Sequence, residues 1–201
     1  MTSIGEKRRQ QMIQAVLELV REGGIKNVTT KKIANSVGVS ESSIYNVFSS
    51  KDEMLFETLK WSYTSLEKRV LQIIEEVEWS VSGIVDSILE IALETANQRY
   101  ANAEQAVTSE LLLAGNVNAI EFLNQFRLRI LNLVKNHLGQ VERHFGKTIK
   151  SHPHAEYELM ALFDGHVYMR MSLKDKTKYD NMFRIILENW FRDLTQEQTP
   201  C

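Results

Sequence analysis

Apolar residues return every three to four positions along almost the whole chain, which is the period of helices that bury one face. The pattern predicts helices near 4–22, 51–76, 80–100, 103–114, 117–145, 154–173 and 178–194. Two shorter helices fall between the first two of these. Gly23-Gly24 ends the first helix, Gly83 and Gly115 fall near joints, and Gly146 with Pro153 brackets a loop. The prolines are Pro153 and Pro200, so nothing breaks the long periodic runs. The expected fold is all-α with about nine helices. It divides into a three-helix head over residues 1–50 and a helical domain over residues 51–201.

The two short helices carry the most specific pattern, VTTKKIANSVGVSESSIYNVF over residues 28–48. Thr29 can accept from the free N–H groups of a helix start, and Ile33, Ala34 and Val37 then face a core. Gly38 suits the positive φ of a sharp turn, Val39 puts an apolar side chain under the corner, and Ser40 caps the next helix. On that helix Ile44 and Phe48 face inward. Glu41, Ser42, Ser43, Asn46 and part of Tyr45 face outward, as a set of small hydrogen-bonding groups able to approach base edges in a major groove. Ser50-Lys51-Asp52-Glu53 reads as a capping box in which Ser50 and Glu53 satisfy each other's backbone donors. Lys51 then sits where a helix start and an ammonium both favour a phosphate.

Across residues 6–66 the chain resembles the N-terminal domain of TetR-family transcriptional regulators. The shared elements are Thr29-Thr30, Ile33-Ala34, Gly38-Val39-Ser40, Tyr45, Phe48 and Ser50-Lys51, with the motif itself over 29–48. Ser42 departs from the glycine, alanine or proline common there, and Val47 replaces an aromatic residue or histidine that often contacts DNA. The resemblance implies DNA contacts from Thr30 and Lys31, from Ser42, Ser43, Tyr45 and Asn46, and from Lys51. Glu41 is open: it can accept from cytosine N4, or it is a solvated cap.

At 201 residues and 43% apolar content, the chain can bury more core than the head requires. Its net charge of −2 conceals a division. Residues 1–51 hold eight Lys/Arg against four Asp/Glu, or +4, and the remaining residues hold 16 against 22, or −6. Positive charge thus accompanies the motif. Lys7-Arg8-Arg9 heads the first helix, either as a backbone clamp or as a solvated helix end. With no signal-like or membrane-spanning run, a cytoplasmic protein is expected. The lone Cys201 excludes an intrachain disulfide.

Large apolar residues crowd the last two helices. Phe163 and Val167, then Phe183, Ile186, Leu187, Trp190 and Leu194, suit packing against other helices. The stripe serves either its own core or a second copy, and the resemblance implies a homodimer through a four-helix bundle. It also implies a small-molecule effector held by the middle helices. Trp61, Tyr63, Tyr100, Leu111, Phe122, Phe126, Phe163 and His166 are candidate lining residues, with plain core as the alternative for each. Glu94, Glu110 and Asp164 could counter a cationic ligand, and Gly165 could permit close helix approach.

Neither the His152-Pro153-His154 pair nor His137 with His144 supplies the three or four convergent ligands of a metal site. No phosphate loop, nucleophile elbow or Cys/His pair points to catalysis, so no cofactor or enzyme activity is expected. The expected function is a ligand-responsive repressor that binds an inverted-repeat DNA operator as a homodimer. The alternative is a helical ligand- or partner-binding protein whose head lacks specific DNA binding.

Overall fold

The computed structural model describes residues 4–97, 100–146 and 154–195. Nine α-helices and one 3₁₀ turn occur among them, with no strand. They are α1 (Ile4–Gly23), α2 (Thr30–Val37), α3 (Glu41–Tyr45), α4 (Lys51–Glu75), α5 (Val81–Asn97), α6 (Ala101–Leu113), α7 (Val117–Phe145), α8 (Ala155–Ser172) and α9 (Lys176–Thr195), and the turn Ile25–Asn27 precedes α2.

The chain forms two compact units, residues 1–67 with 99–126 and residues 68–98 with 127–201. The first therefore reaches beyond residue 50, taking in the start of α4, all of α6 and the start of α7. Burial explains why. Met54, Leu55 and Leu59 of α4 and Ala103, Val107 and Leu111 of α6 join one core with Met12, Val16 and Leu17 of α1, Ile33 of α2 and Ile44 of α3. Each large side chain buried there contributes about 1.5–3 kcal/mol. A head ending at residue 50 would expose part of this surface.

In the second unit Ile84, Val85 and Leu89 of α5, Leu138 and Val141 of α7, Leu159 of α8, and Phe183, Leu187 and Phe191 of α9 form a second core. Ion pairs rim this unit: Arg69 Nε lies 2.9 and 3.0 Å from the Glu94 carboxylate oxygens, and Arg184 pairs with Asp86. Gly83 is required by close approach, since a Cβ there would lie 2.4 Å from the Glu78 carbonyl oxygen.

Candidate nucleic-acid interface

The motif's local chemistry fixes two helix starts and the turn between them. Thr29 Oγ1 accepts from the Lys32 N–H at 3.3 Å and opens α2. Gly38 closes α2 at φ 69° and ψ 39°, the left-handed region that glycine adopts without a Cβ penalty. Ser40 Oγ then accepts from the Ser43 N–H at 3.3 Å and opens α3. Ile44 and Phe48 are each 1% exposed and lock α3 onto the core.

The opposite face of α3 is polar. Ser42, Tyr45 and Asn46 are exposed and Ser43 is half-buried. The Ser40 hydroxyl lies 2.8 Å from that of Ser42 and 2.9 Å from that of Ser43, so the three form a small network at the helix start. Tyr45 stands 59% exposed, a large ring held out with no core to fill. Lys31 of α2 and Lys51 of α4 are exposed, and Lys51 Nζ lies 3.4 Å from the Ile25 carbonyl oxygen. Thr30 donates its hydroxyl to Glu41 Oε2 at 2.9 Å, joining the first residue of α2 to the first of α3. This link between residues eleven apart has no signature in either helix's own pattern.

Two sequence expectations at this surface need correction. The capping box is offset: Ser50 Oγ accepts from the Glu53 N–H at 3.0 Å, but the Glu53 carboxylate accepts from the Ser49 N–H at 2.6 Å rather than from Ser50. The Ser49 hydroxyl also donates to Glu53 Oε2 at 2.5 Å, and this bond with that from the Ser49 N–H holds the Glu53 carboxyl below its ordinary pKa. Of Lys7-Arg8-Arg9, only Lys7 and Arg8 are exposed. Arg9 pairs with Glu57 at 2.8 Å and its guanidinium lies 5.2 Å from the Phe48 ring centroid, which makes it a brace between α1 and α4 rather than a DNA clamp.

The proposed ligand residues are placed as follows. Trp61, Tyr63, Tyr100, Leu111, Phe122 and Phe126 lie in the first unit, Phe163 and His166 in the second. Leu111 is fully buried in the first core, so it packs rather than lines a site. Trp61, Tyr63, Tyr100 and Phe122 pack against that core. Tyr63 meets Phe126 edge to face at 4.9 Å and Phe122 at 6.3 Å. Phe163 packs on the second core. His166 is buried, with its ring nearly parallel to those of Tyr179 and Phe183, and its Nε2 lies 3.2 Å from Asp180 Oδ1. Burial pushes its imidazole pKa down, Asp180 opposes that shift and Arg170 adds to it.

The acids expected to meet a cationic ligand are otherwise engaged: Glu94 by Arg69 and Asp164 by Arg127. Glu110 is exposed. Within the second unit, a groove of about 240 Å³ is lined by residues of α5 and α9, including Leu89, Leu93, Asp86 and Arg184. None of these is among the sequence candidates, because their approach depends on how α5 and α9 pack.

For a partner surface, Phe183 and Leu187 must be withdrawn, since both are buried in their own unit's core. Phe163, Val167 and Trp190 are half-buried, with Trp190 Nε1 donating to Glu158 Oε2 at 3.1 Å. Ile186 is exposed, and Met182 and Ile185 join it on the outer side of α9, as Tyr157, Tyr168 and Met169 do on α8. The Leu194 side chain lies outside the described residues. No atom lies within 4 Å of a Cβ built at Gly165, so packing inside one chain does not call for glycine there.

His137 stacks on Trp79 at 5.2 Å and His144 lies tilted to the same ring at 5.6 Å, and no metal-ligating cluster occurs among the described residues. His152 and Pro153 lie outside the described residues. No described helix is long and apolar enough to cross a membrane.

The sequence profile described as "Bacterial regulatory proteins, tetR family" matches residues 12–58, the segment that contains α2, the glycine turn and α3. That segment belongs to the tetR family. Relatives include a protein named nucleoid occlusion factor SlmA from Glaesserella parasuis, 30% identical over 138 residues, which cover 65% of this chain and 66% of that protein. The chain spans 62 to 66% of the length of the first such relatives. Among solved structures, a tetR-family regulator described from Mesorhizobium loti superposes with a TM-score of 0.77 at 12% identity, covering 96% of this chain and 98% of the other. A tetR-family transcriptional regulator from Streptomyces coelicolor gives 0.72 at 17% identity, covering 94% and 97%. These structures share the all-α fold of family members described as transcriptional regulators.

Proposed function

We propose that this protein is a sequence-specific DNA-binding regulator, acting as a homodimeric repressor that a small-molecule effector releases. The observation that carries the proposal is the outer face of α3. It is a short helix clamped to its core by Ile44 and Phe48, with Ser42, Tyr45 and Asn46 exposed, and with Lys31 and Lys51 exposed on the helices that precede and follow it. Small polar groups reach base edges while the flanking ammonium groups meet phosphate. Ser43, half-buried in the Ser40 network, orients the helix start.

A single helix reads only a few base pairs, so useful specificity needs a second copy. The outer side of α8 and α9, with Tyr168, Met169, Met182, Ile185 and Ile186 uncovered, supports dimerisation there. An effector that prefers one spacing of the two heads then weakens DNA binding through linkage. The half-buried aromatics Trp61, Tyr63, Tyr100, Phe122 and Phe126 are the proposed effector contacts in the first unit.

A second reading comes from the curated relatives, whose name is nucleoid occlusion factor rather than repressor. Under it the same head binds DNA, but regulation concerns the nucleoid and no effector is required. Selection from a random duplex library, at near-physiological salt, tests the shared claim. The expected result is an enriched inverted repeat. No enrichment by folded, dimeric protein contradicts both readings and favours a partner-binding role for the head.

A further inference from the structure

The hydroxyl of Thr30 carries one proton, and that proton points to Glu41 Oε2 across 2.9 Å. A phosphate offers only acceptors, so Thr30 cannot give the same proton to DNA while this bond stands. Glu41 is exposed at the first position of α3, immediately before Ser42 and Ser43. A carboxylate among phosphates is repelled, and an untethered one would swing away from a groove. Here it is held across the corner where α2 and α3 begin. The bond takes up part of Oε2 and leaves Oε1 able to accept from a further donor.

Donors in the major groove are the exocyclic amines of cytosine and adenine. In adenine the neighbouring N7 is an acceptor that repels a carboxylate, whereas cytosine N4 has no acceptor beside it on its own base. We propose that Glu41 is a base-reading residue that selects cytosine, and that Thr30 is a positioning residue for it rather than a phosphate contact. The inference rests on the DNA-reading role of the head.

The test compares sequences selected by the full-length wild type with those selected by Glu41→Gln, Thr30→Val and Thr30→Ser, each shown by circular dichroism to melt cooperatively. Glutamine can still accept from Thr30, so any purely structural staple survives in Glu41→Gln. The wild type is expected to require cytosine at one position of each half-site. Glu41→Gln is expected to lower that preference about tenfold and to admit adenine, leaving other positions unchanged. Thr30→Val should lose the same preference, and Thr30→Ser should keep it.

Identical base preferences in the wild type and Glu41→Gln would overturn the assignment while leaving the DNA-binding reading intact. A uniform loss of affinity across all sequences in Thr30→Val would restore Thr30 as a phosphate contact and overturn its positioning role. Failure of the wild type to enrich any sequence would overturn the DNA reading and this inference with it.

Discussion

Tyr45 is the residue whose exposure most needs a reason. A ring that is 59% exposed on a five-residue helix, with Ile44 beside it buried, contributes little to folding. Tyr45→Ala is expected to leave thermal stability nearly unchanged and to weaken binding to a selected DNA site by about 1–3 kcal/mol. Unchanged affinity in the folded protein would remove Tyr45 from the interface. Ser40 does the opposite work: Ser40→Ala should cost about 1 kcal/mol of stability through the lost cap, read by denaturant titration. Lys51→Ala should weaken all DNA alike and make the dependence on salt shallower by about one unit, because one phosphate contact is lost. The caps at Thr29 and Ser40 and the turn at Gly38 were legible in the chain because each is settled within four residues. The partners of Arg9 and Glu53 were not fully legible, since Glu57 lies 48 residues from Arg9 and Glu53 chose Ser49 over the adjacent Ser50.

The buried His166 and the half-buried His137 set a pH dependence at the same scale. Burial lowers the pKa of His166 and of His137, so the unfolded chain binds more protons than the folded one as pH falls below the ordinary imidazole value of 6.5. Their stabilising contribution is complete above that pH and is lost as pH falls toward each lowered folded value. Melting temperature should therefore drop between pH 7 and pH 5, and His166→Phe should flatten part of the drop. A rise in melting temperature over that range would contradict the burial argument. Glu104 moves the other way, because burial raises its carboxyl pKa and its contribution is lost as pH rises above 4.5 through the raised folded value.

At the scale of elements, α9 shows why a hydrophobic stripe alone does not reveal its neighbour. Phe183, Leu187 and Phe191, four residues apart, turn into the core, while Met182, Ile185 and Ile186 stand outward between them. The helix is apolar on both sides, and a spacing of three to four residues cannot separate one side from the other. The two sides respond to different measurements. Phe183→Ala should cost about 3–5 kcal/mol of folding stability. Ile186→Glu should leave the fold intact and shift sedimentation from dimer to monomer, with loss of DNA affinity. A variant that stays dimeric would remove this face from the interface. Helix positions, by contrast, were legible to within a few residues, because caps and glycines mark the ends of periodic runs.

At the scale of the whole molecule, the proposal joins two copies of one reading helix to one divided DNA site. The separation of charge, positive over residues 1–51 and negative beyond, agrees with a chain that approaches phosphate with one region only. The all-α architecture followed from periodicity and from the absence of proline within the long periodic runs. The reach of the first unit into α6 and α7 did not, since it depends on which distant apolar faces meet. The most direct test compares the affinity of purified protein for a full inverted repeat and for one isolated half-site at the same salt. If two linked helices read the site, the full repeat should bind at least about a thousandfold more tightly, with two chains per duplex. Equal affinity for the half-site, or one chain per duplex, would contradict the dimeric reading.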